Sequence, residues 1–226
     1  MSVKEKLISI QKEIEVVCNR VKRNPASIQI VAVTKYVSVE TTEKALNAGL
    51  IHIGENRVEG AVQKWEALHE SGIWHFIGSM QTRKVKQIIG KYEYLHSLDR
   101  LSLAKEVDKR LEEGQVMKCF VQVNVSGEES KSGLAPEEVI PFIKELSTFQ
   151  GIQVIGLMTM APFFDDAELT RPIFRRLKEI KDSVMALQLP YAPCTELSMG
   201  MSNDYRVAIE EGATFIRLGS ALVGRE

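Results

Sequence analysis

The chain has 226 residues, 44% of them hydrophobic and 26% charged, with 29 basic residues against 30 acidic and a formal net charge of −1. This is the composition of an ordinary globular protein, and the balanced charge argues against a dedicated nucleic-acid binder, which carries a basic excess. No stretch approaches the ~18 apolar residues of a spanning helix, so no membrane association is expected. The charged N-terminus lacks the apolar core of a signal peptide. Three scattered cysteines, Cys18, Cys119 and Cys194, form no C-x-x-C pair and read as reduced thiols of a cytoplasmic protein. No His/Cys cluster has metal-ligand spacing, so no metal is expected.

An amphipathic helix is predicted over 2–23, where Leu7, Ile10, Ile14, Val17 and Val21 recur at helical spacing. Short β-like runs follow at 28–34, 51–54, 74–78, 93–98, 117–125, 152–158, 195–199 and 214–219. Between them lie helical patterns near 39–48, 56–70, 81–89, 100–113, 136–147, 168–187 and 203–211, with a closing turn from Ser220. Strict alternation implies a parallel sheet, because parallel neighbours need crossovers. Eight such units predict an α/β fold of the closed (β/α)₈ (TIM) barrel type with an extra N-terminal helix, as a single domain over 1–226. The open doubly wound alternative expects a G-x-G-x-x-G turn after its first strand, and none is present.

Barrels carry their chemistry at the C-terminal ends of the strands. Those ends hold Lys35 after strand 1, Asn56 and Arg57 after strand 2, and His75 on strand 3. The loop after strand 7 reads Ser198-Met199-Gly200-Met201-Ser202-Asn203-Asp204, and strand 8 presents Arg217, then Gly219-Ser220. Small residues there let backbone N–H groups approach a phosphate, and the loops after strands 7 and 8 are the usual phosphate site of this architecture. Each loop alone is equally well a helix cap or a turn; together they point to an anion site.

Lys35 ends an almost unbroken apolar run, IVAVTK. A lysine facing a closed, partly apolar mouth, with Arg217 nearby, is expected to lose charge stabilisation and to act as a nucleophile toward aldehydes. A reactive amine beside a phosphate cradle suits either a sugar-phosphate carbonyl or pyridoxal 5′-phosphate.

The segments VAVTK, IGENRV, WHFIGSMQTRK, VNVSGEESKSG, GLMTM, ELSMGMSND and IRLGSALVG, in order from about residue 28 to 225, resemble the pyridoxal phosphate homeostasis proteins. That family is similar in fold to the N-terminal barrel of alanine racemase and ornithine decarboxylase. The resemblance implies a covalent aldimine of pyridoxal 5′-phosphate on Lys35, phosphate ligands at Ser202, Gly219 and Ser220, and Arg217 against the pyridine nitrogen. It places Asn56 and His75 on the cofactor face and Met199, Gly200 and Met201 in the phosphate loop. Arg57 stands where many relatives have tyrosine. It also implies a monomer that buffers or delivers the cofactor, with apo-enzymes as partners. The alternative is a racemase or decarboxylase. The chain stops at Glu226, after the eighth unit, so the β-domain that supplies a racemase's second base is not expected here.

Overall fold

The computed structural model describes all 226 residues apart from the side chain of Glu70. Helix α1 (Val3–Arg20) precedes the first strand, its N-terminus closed by a reciprocal capping box between Ser2 and Glu5. Strands β1 (Gln29–Val33), β2 (His52–Glu55), β3 (Ile73–Phe76), β4 (Tyr94–Leu98), β5 (Met117–Gln122), β6 (Ile152–Met158), β7 (Glu196–Ser198) and β8 (Phe215–Leu218) follow. All pair in parallel with their sequence neighbours, and β8 closes on β1 with Val31 opposite Arg217. The predicted closed barrel with its extra helix is the observed architecture.

The crossovers are α2 (Val39–Asn47), α3 (Val58–Leu68), α4 (Leu101–Arg110), α5 (Val139–Glu145), α6 (Arg171–Met185) and α7 (Tyr205–Glu210). The segment expected as a helix over 81–89 is instead a 3₁₀ stretch, Thr82–Gln87. Among the described residues no side chain caps its start, and Gly90, at φ +75°, turns the chain away three residues after its end. The fifth strand also ends early. Its ladder with β6 stops at Gln122 opposite Met158, and Val123, whose N–H still donates to the Met158 carbonyl, also bridges to Leu134.

Period-2 alternation divides the strand residues between two cores. One face packs on the helices through residues such as Ala32, Ile53, Trp74, Leu95, Cys119 and Ile216. The other fills the barrel with Val31, Phe120, Met158 and Phe215. Among these sit His52, His75 and His96, with His75 stacked on Tyr94 at 4.1 Å between ring centroids. His96 lies 4.3 Å from the Phe120 ring.

Complete burial holds His75 and His96 well below the ordinary imidazole value of 6.5, reinforced for His75 by the other two histidines and for His96 by Arg217. Burial lowers His52 as well, with Lys118 adding to the shift. Unfolding frees three imidazoles that bind protons the folded state refuses, so stability is lost as pH falls from 6.5 toward the lowered folded values. Urea midpoints are therefore expected to drop between pH 6.5 and about 5, before the carboxylates begin to titrate. A flat profile over that interval contradicts neutral buried histidines.

Candidate functional site

At the C-terminal ends of the strands a cavity of about 560 Å³ opens to solvent. It brings together Lys35, Asn56, Met201, Ser202, Arg217, Gly219 and Ser220, seven of the residues expected at the site. The structure places three others elsewhere. His75 is fully buried in the barrel, hydrogen-bonded to His52 and His96, a layer below the cavity. Met199 points outward into the helix-facing core. Gly200 lies under the loop, where a Cβ would meet Ala208 Cβ at 2.6 Å, and its φ of +91° also favours glycine. Its carbonyl accepts from the Arg217 N–H, which ties the loop to β8.

Alternation along a strand tells which face a side chain takes but not how deep it lies. His75 and Arg217 both point inward; only Arg217 sits near the mouth. Also lining the cavity are Asn203 and Asp204, read at the end of strand 7 without an assigned role, together with Tyr36, Gln122, Ser132 and Arg225. Gln122 had a signal, since it is a polar residue at an inward-facing step of an apolar strand. Arg225 had none, because only the folded chain brings the C-terminal segment beside Tyr36. There the Glu226 N–H donates to the Tyr36 carbonyl.

Lys35 follows the end of β1 and is exposed, with Nζ 4.8 Å from the centroid of the Tyr36 ring. The closed, desolvating mouth expected around it is not observed, because the loop after β1 carries the side chain to the rim. Its backbone is nevertheless held firmly. Lys64 on α3, 6% exposed, donates to the Thr34 carbonyl and pairs with Glu55 at 2.6 Å. Glu55 also accepts from the Thr34 hydroxyl. A buried ion pair thus fixes the residue before Lys35 and the residue before Asn56 in one unit. At Gly78 a Cβ would lie 2.2 Å from the Asn56 carbonyl oxygen, so only glycine lets the end of β3 pass Asn56.

The two loops offer a cradle. The backbone N–H groups of Ser202, Asn203, Gly219 and Ser220 have no acceptor within the described residues. The preceding loop is shaped by Asp204, whose carboxylate accepts from the Met201 N–H at 2.6 Å. Burial raises the Asp204 carboxyl, against the Met201 hydrogen bond and the nearby Arg217. Helix α7 has only six residues, so the cradle rests on loop N–H groups more than on a helix dipole.

Arg217 is 5% exposed, donating from Nη1 to Ser198 Oγ at 2.6 Å and from Nη2 to the Thr159 carbonyl at 2.8 Å. Burial pulls it down to about 10, with Asp204 opposing, so it remains a cation near neutrality. Among the described residues two of its five N–H donors are used, and Nε makes no hydrogen bond. A buried cation with spare donors at a cavity floor calls for an acceptor on a ligand. Among the described residues around the cavity, the ionisable groups are Lys35, Tyr36, Asp204, Arg217 and Arg225. No group of His, Cys, Asp or Glu side chains among the described residues is arranged to hold a metal ion, and no helix is long and apolar enough to cross a membrane. A second depression of about 620 Å³ lies at the opposite end, around Trp65, Lys91, Tyr92 and Val116, away from both loops.

The family model "Alanine racemase, N-terminal domain" matches residues 6–226. A pyridoxal phosphate homeostasis protein of Aquifex aeolicus is 40% identical over 227 residues, covering 99% of this chain and 98% of that protein. Another from Schizosaccharomyces pombe is 35% identical over 208 residues, covering 89% and 85%. The solved structure of PipY of Synechococcus elongatus, with PLP bound, matches at a TM-score of 0.84 and 31% identity, covering 98% of this chain and all of PipY. Alanine racemase of Clostridium difficile matches at a TM-score of 0.71 and 15% identity over 56% of its length, a likeness of fold alone.

Removing one partner of a buried ion pair strands the other, at a cost of about 3–5 kcal/mol. Lys64→Met is therefore expected to lose that much stability in urea denaturation. The double variant with Glu55→Gln should lose less, since no unpaired charge stays buried. Equal losses in the two variants would refute the pairing as the source.

Proposed function

The chain belongs to the pyridoxal phosphate homeostasis family, and from that premise we propose that it binds pyridoxal 5′-phosphate in the cavity at the C-terminal end of its barrel and buffers or delivers it. The observation that carries this reading is the convergence of three features on one cavity: an exposed amine at Lys35, four unpaired N–H groups on two loops, and a buried guanidinium with spare donors. They match the aldehyde, phosphate and ring nitrogen of one molecule. The name of the relatives and the PLP bound in PipY support the choice over a sugar phosphate.

In this reading the N–H groups of Ser202, Gly219 and Ser220 would hold the phosphate, and the Lys35 amine would be the group that meets the aldehyde. Arg217 donates to the ring nitrogen. Bound, the cofactor supplies an electron sink for bonds at an amino-acid α-carbon. Arg217 works against that use, because a guanidinium stays protonated and cannot leave the nitrogen with a proton of its own. Asp204 is tied to the Met201 N–H, and no histidine, glutamate or cysteine among the described residues lines the cavity to move a proton at the α-carbon. Binding and handing on fit this set better than turnover.

The rim fits delivery. Tyr36 and Phe163 are 49% and 77% exposed beside the mouth, an apolar surface that an apo-enzyme can meet. We take the protein to act as a monomeric single barrel, in the reducing cytoplasm that its three unpaired cysteines suit.

Purified protein mixed with pyridoxal 5′-phosphate is expected to give a borohydride-reducible adduct that maps to Lys35 and is lost in Lys35→Ala, with unphosphorylated pyridoxal binding far more weakly. An adduct on another lysine, or equal binding of the two aldehydes, sinks the assignment. Turnover is tested by incubating the loaded protein with single amino acids and following chirality and carbon dioxide release. Only trace rates are expected, and turnover within the ordinary enzyme range of about 1–10³ s⁻¹ would overturn the carrier reading.

A further inference from the structure

A line of hydrogen bonds runs down the barrel interior from Arg217. Arg217 Nη1 reaches Ser198 Oγ at 2.6 Å, and His96 Nδ1 lies 2.9 Å from that oxygen. His96 Nε2 meets His75 Nδ1 at 2.9 Å, and His75 Nε2 meets His52 Nδ1 at 2.8 Å. Four strands, β8, β7, β4 and β3, each contribute one member, and β2 supplies the last. His75 and His96 are wholly buried and His52 is 7% exposed. None of the three histidines lines the cavity, and the binding reading gives them no role.

We infer that Ser198, His96, His75 and His52 form a one-way hydrogen-bonded array that positions Arg217, each histidine neutral and carrying its proton on Nε2. This rests on the cofactor reading only for its consequence, not for its direction. The direction follows from one fixed end. Arg217 has only donors, so Ser198 Oγ must accept from it. The serine then completes its bonding by giving its own proton to His96 Nδ1. With Nδ1 accepting, neutral His96 carries its proton on Nε2 and donates to His75 Nδ1. The same step repeats from His75 to His52. The opposite direction would leave the serine proton without an acceptor in a sealed interior. Ser97 Oγ is the one sealed polar side-chain atom without a partner among the described residues. His52 Nε2 has no partner among the described residues either, but His52 is 7% exposed, so its proton can go to water.

The array is closed to protonation. Every Nδ1 lone pair is occupied, and every Nε2 already carries a proton. The charged groups around it are Lys118 and Arg217, both cations that disfavour a further positive charge; Tyr94 stacks on His75. The result is a serine lone pair held on the guanidinium in one orientation, which leaves Nε and its neighbours facing the cavity across the neutral range.

The direction is read in the ligand-free protein, by long-range proton–nitrogen correlation of ¹⁵N-labelled histidine rings. All three buried rings are expected as neutral Nε2–H tautomers near neutral pH. An Nδ1–H tautomer or an imidazolium at any of them in the wild type overturns the array. The consequence is read by titrating pyridoxal 5′-phosphate and following its absorbance. Ser198→Ala should expose both tautomers at His96 and weaken binding roughly tenfold, while Ser198→Thr, which keeps the hydroxyl, restores both. If Ser198→Ala folds with the His96 tautomer and the affinity unchanged, the positioning role is refuted. Wild-type protein that fails to bind the cofactor refutes the cofactor reading instead and leaves the tautomer measurement standing.

Discussion

The structure turns on a guanidinium held inside a barrel with no carboxylate among the described residues hydrogen-bonded to it. Burying a charge is costly unless hydrogen bonds replace its hydration. Arg217 meets that demand with Ser198 Oγ and the Thr159 carbonyl below and keeps donors free above. The bonds below require a polar column in a region that barrels ordinarily fill with branched aliphatics. That column is the run of Ser198 and three histidines, packed among Phe120, Phe215 and Tyr94. The donors above define the floor of the cavity. One residue therefore couples the composition of the interior to the chemistry of the mouth.

The walls of the mouth are set by a different device. Lys64 and Glu55 sit between α3 and the barrel, where an ion pair is not a cheap source of stability. Its value here is positional. By gripping both the carbonyl and the hydroxyl of Thr34, the pair fixes the exit of β1 against β2. Lys35 then projects from a held base, its own side chain exposed over the Tyr36 ring.

The likeness to alanine racemase at 15% identity is one of fold alone, and a shared barrel does not carry a function with it. The cavity side chains are rich in hydrogen-bond donors, and no histidine, glutamate or cysteine among the described residues lines the cavity.

Much of this was legible in the chain before folding. The alternation of short apolar runs with helical patterns determined eight parallel strands, and the Gly- and Ser-bearing loops after the last two strands were legible as neighbours at one end of the barrel, where they line one cavity. These signals are local, because periodicity and turn chemistry are properties of adjacent residues. What only the tertiary structure decided is long-range. His52, His75 and His96 lie about one strand–helix unit apart in sequence and become a single bonded line only when the sheet closes. His75, read as a cofactor-face residue, lies a layer below it because alternation encodes direction and not depth. Lys35 is exposed rather than desolvated because the loop after β1, not the strand, sets its reach. The Lys64–Glu55 pair was invisible for a related reason: a lysine and a glutamate in a charged sequence look like solvated surface until the packing of α3 on β2 removes the water between them.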